Sequence, residues 1–347
     1  MRVQVLGENG GVGDLLRRLS VVQSIKTALP AAKVWLFMQD NLVEWARLSR
    51  VADMLAVVAN QSRRGINQPP DPAKYAYLTT GAPFDATVDL YDPAYAYENV
   101  ATGRMTQNHA GFWRATATAV LGCRLNPQLA RLFIPVQAAV LAASQLRVRL
   151  GCQPSFLVGL QPLALWHWRS VCFEQVSGLV KALQHMGARC VLFHHTADPV
   201  AVWAKELNAI SVIGEKPAVL AELVKLCDAM ISVDSGLFHL AGLLGVPTVG
   251  MFAQTDGETT SQDYESCRWV TAGLAEREGL GCRFPCYRRA AYGCNQPVCE
   301  RGCRALHRIS PKVVVDMTIK LMLERKGVHL SPRERASRMF SSSYSQA

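Results

Sequence analysis

The apolar positions of the chain fall into two successive series in which short β-type runs alternate with helical ones. RVQVL (2–6) reads as a buried strand. It runs into a glycine-rich turn from Gly7 to Gly13, and Asp14 is then expected to cap a helix through LLRRLSVVQSIKTAL as far as Pro30. KVWLFM (33–38) reads as a second strand, NLVEWARLS as a helix, MLAVVA as a third strand and, after a Pro- and Gly-rich loop over 61–83, ATVDLY as a fourth. The segment NPQLARLFIPVQAAVLAASQLRVRLG suits a connector followed by a helix.

A second series begins at SFLVGLQ (155–161). It continues with a helix over FEQVSGLVKALQHMG, the strand ARCVLFHH, a short strand near ISVIG, a helix over AVLAELVKLC, the strand AMISVDS, a helix over LFHLAGLLG and the strand PTVGMF. Strands alternating with helices specify a parallel, doubly wound sheet. The expectation is therefore an α/β protein of two Rossmann-like parallel-sheet domains, 1–150 and 151–330. A last helix near PKVVVDMTIKLMLERK precedes a Ser- and Arg-rich tail over 331–347, to which no chemistry is assigned.

Length agrees with this division, because 347 residues, half of them apolar, exceed what one core usually serves. No run approaches the roughly 20 apolar residues of a membrane-spanning helix, and the N-terminal strand and turn do not resemble a cleavable signal, so a cytoplasmic protein is expected. The 37 Lys and Arg against 27 Asp and Glu favour an anionic partner: a phosphorylated substrate, an anionic membrane surface or nucleic acid. The basic residues are scattered or paired (Arg17-Arg18, Arg63-Arg64, Arg288-Arg289) and no nucleic-acid docking motif accompanies them, which argues against nucleic acid.

The strand AMISVDS ends in Asp234-Ser235-Gly236 and a helix starts at once, so backbone N–H groups and the positive helix end are directed beyond the strand, where an anion would bind. Ser235, Gly236 and Leu237 would let phosphate oxygens approach the backbone, and His239 lies on the first helical turn. A capped helix with a buried histidine is the structural alternative. Asp14 similarly allows two readings, an N-cap or a carboxylate that accepts the proton of an attacking hydroxyl. The chain has no Asp-x-Asp motif of the kind that holds a divalent ion, and the fixed donors available to an anion are the amides at Ser235 to Leu237, the Arg169 guanidinium and the Thr255 hydroxyl. His194, His195 and Asp198 after a strand, and the cluster Trp166-His167-Trp168, suit either ligand contact or loop packing.

Asp234-Ser235-Gly236-Leu237-Phe238-His239-Leu240-Ala241, then Gly245-Val246-Pro247 and Phe252-Ala253-Gln254-Thr255-Asp256, together resemble the D-[ST]-G-x-x-H-x-A, G-x-P and F-G-x-T-[DN] series of glycosyltransferase family 9, the family of the bacterial ADP-heptose heptosyltransferases. Gly13-Asp14 and the strand at 155–161 extend the resemblance over roughly residues 1 to 325. It implies a GT-B architecture, with an acceptor domain first and a nucleotide-sugar domain second. It also implies inverting transfer of heptose from ADP-heptose to a hydroxyl of an anionic lipopolysaccharide core or to a protein Ser. Asp14 would be the base; Gly13, Arg169, Asp234, Ser235, Gly236, Leu237, His239, Thr255 and Asp256 would bind substrate. No divalent metal would be needed for transfer, and a peripheral contact with the cytoplasmic face of the inner membrane and self-association are compatible with it. Ala253-Gln254 stands where the family usually has Gly-Pro, and Arg169 where it often has Lys. A different nucleotide sugar, or a catalytically degenerate binding protein, are the competing readings.

Eleven cysteines are present. Cys123, Cys152, Cys172, Cys190 and Cys227 lie singly, as small hydrophobes. Cys282, Cys286, Cys294, Cys299 and Cys303 occupy 22 residues with three, seven, four and three residues between successive members, a density suited to a tetrahedral thiolate site for zinc or iron. Cys286, Cys294, Cys299 and Cys303 are the preferred ligand set, with free thiols the alternative. The resemblance adds that family relatives acting on autotransporter adhesins carry a cysteine-rich insert at this place that holds iron.

Overall fold

Strand β1 (Arg2–Leu6) buries every residue after the first, because it has a parallel neighbour on each side: β2 (Lys33–Gln39) and β4 (Ala86–Asp89). Its one polar interior residue is satisfied by that pairing. Gln4 stands opposite Thr87, whose hydroxyl donates to Gln4 Oε1 at 3.0 Å. With β3 (Met54–Val58) these strands form an all-parallel sheet of order β3-β2-β1-β4. Helix α1 (Val12–Ala28) follows β1, α2 (Val43–Ser49) follows β2, and α3 (His109–Leu121) follows β4 in sequence. The sequence reading had not found α3, which packs on α1 and β4 through Ala110, Trp113 and Ala117.

The computed structural model describes residues 1–7, 10–58, 84–90, 109–150, 156–164, 169–196, 199–253, 257–271 and 303–325. It divides into two compact units, Met1–Pro135 and Val136–Ala347. The division precedes the expected boundary near residue 150, because α4 (Val136–Leu150) packs along α7 (Pro217–Lys225) of the second unit.

The second unit contains β5 (Phe156–Gln161), α5 (Phe173–His185), β6 (Ala188–His194), α6 (Val200–Glu206), β7 (Ile210–Ile213), β8 (Ala229–Val233), α8 (Gly236–Leu243), β9 (Thr248–Phe252), α9 (Gly257–Ser261), β10 (Cys267–Thr271), α10 (Arg304–His307) and α11 (Pro311–Arg325). Its six parallel strands run in the order β10-β9-β8-β5-β6-β7. The edge strand β10, CRWVT, was not anticipated: only Cys267 and Val270 are buried, so the apolar signal is weak. Val158, Leu160, Leu192, Ile231 and Val249 of the sheet share one core with Val176, Leu179 and Val180 of α5 and Val314 of α11. Gly159 faces the other side of the sheet, where a Cβ would come within 2.2 Å of Met230 Sδ.

In both sheets the strand order reverses at one place, between β1 and β4 in the first unit and between β5 and β8 in the second. The carboxyl ends of the strands at such a reversal diverge into helices on opposite faces and leave the crevice where doubly wound domains bind ligands. No helix among the described residues is long and apolar enough to cross a membrane.

Candidate functional site

In the second unit Gln161 at the end of β5 is in register with Ser232 near the end of β8, so the two strands finish side by side at the reversal. Beyond β5 comes Arg169, and beyond β8 comes Asp234. Arg169 Nη1 lies 3.4 Å from Asp234 Oδ2, and the carboxylate is the more deeply placed partner, with 7% of its side chain exposed against 30% for the arginine. The Arg169 Nε is buried without a hydrogen-bond partner among the described residues.

The Arg169 segment is tied down on both sides. Ser170 Oγ accepts from the Ala164 amide at 3.1 Å, and the Ser170 carbonyl accepts from the Cys303 amide at 2.7 Å. The Val171 amide donates to the Pro162 carbonyl at 3.0 Å, and the Cys172 amide to His307 Nε2 at 3.0 Å. That last bond requires a neutral imidazole with its proton on Nδ1. Burial holds the His307 pKa below the ordinary histidine value, with the Glu174 charge acting the other way.

Ser235 is the residue before α8, in an extended conformation, and its side chain makes no cap bond. Its Oγ lies 3.1 Å from Ser232 Oγ instead. The capping role considered for Ser235 is therefore not the one its hydroxyl has. Ser235, Gly236 and Leu237 are half-buried, whereas Asp234 is buried, so the first turn of α8 is the accessible part of this corner.

His239 is placed differently from the expectation of a ligand contact. It is 2% exposed, and its Nδ1 lies 3.2 Å from the hydroxyl of Tyr264, itself buried. Phe238 packs edge-on against it, Phe252 and Tyr264 pack edge-on against Phe238, and the Tyr264 ring is tilted against the histidine. The histidine fastens α8 to the core, and these contacts fit the structural alternative weighed from the sequence. Tyr264 had not been singled out, since nothing in DYESC marks a buried tyrosine.

In the first unit α1 begins two residues before Asp14, which corrects the reading of Asp14 as N-cap. Gly11 is the N-cap and Asp14 the third helical residue, its Oδ2 accepting from the Gly11 amide at 3.0 Å. Gly13 lies on the same first turn. Gly10 has φ +93°, and a Cβ there would fall 2.5 Å from Asp14 Oδ2, so the carboxylate occupies space only a glycine leaves.

His194 is half-buried, with its Nδ1 within 3.0–3.2 Å of the Thr196 hydroxyl, carbonyl and amide, and its ring 4.4 Å from that of His195. Burial, and less strongly the His195 charge, hold its pKa down, while the Thr196 carbonyl acts the other way. These contacts fit the loop-packing reading. Thr255, Asp256, Asp198, Trp166, His167 and Trp168 lie outside the described residues.

Of the single cysteines, Cys190 and Cys227 are buried and Cys123 and Cys172 are half-buried. Burial pushes the Cys190 thiol up to about 12 and that of Cys227 higher still. Cys282, Cys286, Cys294 and Cys299 lie outside the described residues; Cys303 is 4% exposed, in the core of the second unit. Among the described residues no three His, Cys, Asp or Glu side chains are grouped as for a metal ion.

Residues 167–279, which carry both Arg169 and the Asp234 corner, match the model of glycosyltransferase family 9 (heptosyltransferase). No curated protein matches the chain by sequence. Solved structures do resemble it. A glycosyltransferase family 9 protein of Veillonella parvula aligns at 15% identity and TM-score 0.69, over 93% of this chain and 97% of that one. E. coli ADP-heptose LPS heptosyltransferase II aligns at 14% identity and TM-score 0.66, over 94% and 100%. The iron-containing dodecameric glycosyltransferase TibC from enterotoxigenic E. coli aligns at 13% identity and TM-score 0.55, over 94% and 76%. Its two parallel-sheet units have the GT-B-type fold of these structures, and the match to the glycosyltransferase family 9 (heptosyltransferase) model lies within the second unit, over the residues that carry the Arg169–Asp234 corner.

Proposed function

We propose that the protein transfers a heptose from ADP-heptose to a hydroxyl acceptor, a lipopolysaccharide core sugar or a protein Ser, with inversion at the anomeric carbon. The observation that carries this reading is the Arg169–Asp234 pair beside the first turn of α8, at the strand reversal of the second unit. A diphosphate there meets a guanidinium whose orientation is set by a buried carboxylate, and the positive end of a helix. On the resemblance, Thr255 and Asp256 are proposed as further donor contacts and Gly13 as an acceptor contact.

The chemistry is a single displacement. The acceptor oxygen attacks the anomeric carbon, the bond from that carbon to the β-phosphate oxygen breaks, and ADP leaves with the electron pair. The acceptor proton passes to Asp14, whose carboxylate the Gly11 amide holds in one orientation. Arg169 and the Ser235–Leu237 amides stabilise the charge that develops on the diphosphate, in the role that a divalent ion has in other sugar-nucleotide enzymes. The test is Asp14→Ala: transfer is lost while ADP binding stays near that of the unaltered protein. Unchanged turnover refutes the assignment.

Cys286, Cys294, Cys299 and Cys303 are proposed to hold a structural iron or zinc ion, by their spacing and thiolate chemistry. Metal analysis of freshly reduced protein tests this, and absence of both metals refutes it. The setting we propose is cytoplasmic, with peripheral contact at the inner-membrane face and self-association; vesicle flotation and light scattering test these.

A second donor is favoured by one observation. In sequence Ala253-Gln254 stands where the family usually has Gly-Pro, and Ala253, just after β9, is 5% exposed. Thermal-shift measurements with ADP-heptose against UDP- and GDP-sugars separate the two readings. Stabilisation by ADP-heptose alone upholds the first, and stabilisation by none of them points to a degenerate binding protein.

A further inference from the structure

Arg18 lies on α1 one turn after Asp14 and is 1% exposed. An arginine is buried so completely only where its donors are taken up. Its Nη1 donates to the Gly7 carbonyl at 3.0 Å and its Nη2 to the Leu90 carbonyl at 3.3 Å. The guanidinium carbon stands 4.7 Å from the ring centroid of Trp113, which has no exposed surface.

The two carbonyls identify the place. The Gly7 amide donates to Phe37 and the Leu90 amide to Leu6, so these residues end the ladders of β1 and β4. Those strands are neighbours at the reversal of the first sheet. Arg18 thus pins both strand ends to α1 from beneath the crevice of that unit. A Cβ on Gly7 would come within 2.9 Å of Arg18 Cδ, so the side chain passes directly over the residue from which the turn to Gly11 departs. A leucine could fill this space without burying a charge; what arginine adds is two directed bonds and a positive charge.

We infer that Arg18 is a positioning residue: by bonding α1 to the ends of β1 and β4 it fixes the first turn of that helix, and with it the Asp14 carboxylate bonded to the Gly11 amide. The inference rests on the reading of Asp14 as base for its catalytic consequence, though not for its structural one.

The test uses Arg18→Met and Arg18→Lys in the full chain, with Asp14→Asn beside them. Two quantities are read: amide hydrogen exchange along α1, and ADP release from ADP-heptose with water as the acceptor. Exchange at Gly11 rises about tenfold in both Arg18 variants while Ser24 and Ile25 are unchanged, as loss of a held turn rather than of the helix requires. The kcat of ADP release falls about a hundredfold with KM for ADP-heptose within about twofold, the signature of a displaced reacting group. Wild-type Gly11 exchange in a folded variant, or a rise spread evenly along α1, overturns the inference. So does a wild-type kcat where Asp14→Asn is inactive. If Asp14→Asn remains active, the base reading fails instead, and the exchange pattern alone decides the positioning of the turn. Should Arg18→Met fail to fold, Arg18→Lys decides both arms.

Discussion

Arg169 Nη1 and Asp234 Oδ2, 3.4 Å apart, join the segments that leave two adjacent parallel strands, and the pair sits where the sheet order reverses. The carboxylate is nearly enclosed, so it holds the guanidinium in one orientation; the arginine, with 30% of its side chain exposed, keeps a face for a ligand. Arg169→Ala should weaken ADP binding by about 10- to 100-fold, the range expected when charge-assisted hydrogen bonds worth about 1.5–3 kcal/mol are lost. Arg169→Lys should recover only part of it, since an ammonium lacks the planar fork. Calorimetric titration with ADP measures this, and an unchanged Kd in Arg169→Ala removes the residue from the donor site.

Tyr264 and His239 provide the contrasting case of a polar contact without ligand access. Tyr264→Phe removes the hydroxyl that faces His239 Nδ1 at 3.2 Å in the interior, and should lower unfolding free energy by about 1–3 kcal/mol. ADP affinity should remain at the level of the unaltered protein. Urea unfolding together with ADP titration separates the two effects; a large loss of affinity at unchanged stability would return His239 to the ligand site.

How far the sequence discloses the site differs residue by residue. The alternation of apolar strands and helices locates β1, β5, β6, β8 and β9 and the residues at their carboxyl ends, because a central parallel strand is buried on both faces and carries a continuous apolar signal. Strand order has no local signature. That Arg169 meets Asp234, 65 positions later in the chain, follows from β5 lying beside β8, which is decided by crossovers rather than by any one segment. Asp14 was legible as a helix-start carboxylate but not as the third residue, since Val12 and Gly13 give no propensity cue for an earlier start. Arg17-Arg18 looks like a solvated pair in sequence, and only the placement of α1 over the ends of β1 and β4 shows that Arg18 is interior.

His307 gives the fold a pH dependence whose sign follows from its environment. Burial lowers its pKa in the folded protein below the ordinary value of about 6.5 that the unfolded chain retains. Between that ordinary value and the lower folded one, the unfolded state binds more protons, so stability is full above the window and falls as pH drops through it. His194, whose pKa burial also lowers, adds a contribution of the same sign. Thermal unfolding from pH 7.5 down should show a declining Tm across this window, and His307→Gln should reduce the slope without abolishing it. Protonation also removes the acceptor for the Cys172 amide, so ADP affinity should decline in parallel through the loosened Arg169 segment. A Tm independent of pH there, or one that rises on acidification, would contradict the placement of His307.

Gly10 tests the geometry of Asp14 without touching its chemistry. At φ +93° an alanine is strained by about 1–2 kcal/mol, and its Cβ would lie 2.5 Å from Asp14 Oδ2, well inside contact distance. The carboxylate must then leave the Gly11 amide or the first turn of α1 must open; in either case it is no longer held where the proposed mechanism takes the acceptor proton. Gly10→Ala should therefore lower kcat for ADP release by about tenfold or more, as misplacement of a general base does. ADP binding, which depends on residues of the second unit, should be unaffected. Gly11→Ala is the control, because nothing lies within 4 Å of a Cβ at that position. A kcat loss of equal size in both variants would trace the effect to turn flexibility in general, whereas a loss confined to Gly10→Ala ties it to the Asp14 carboxylate.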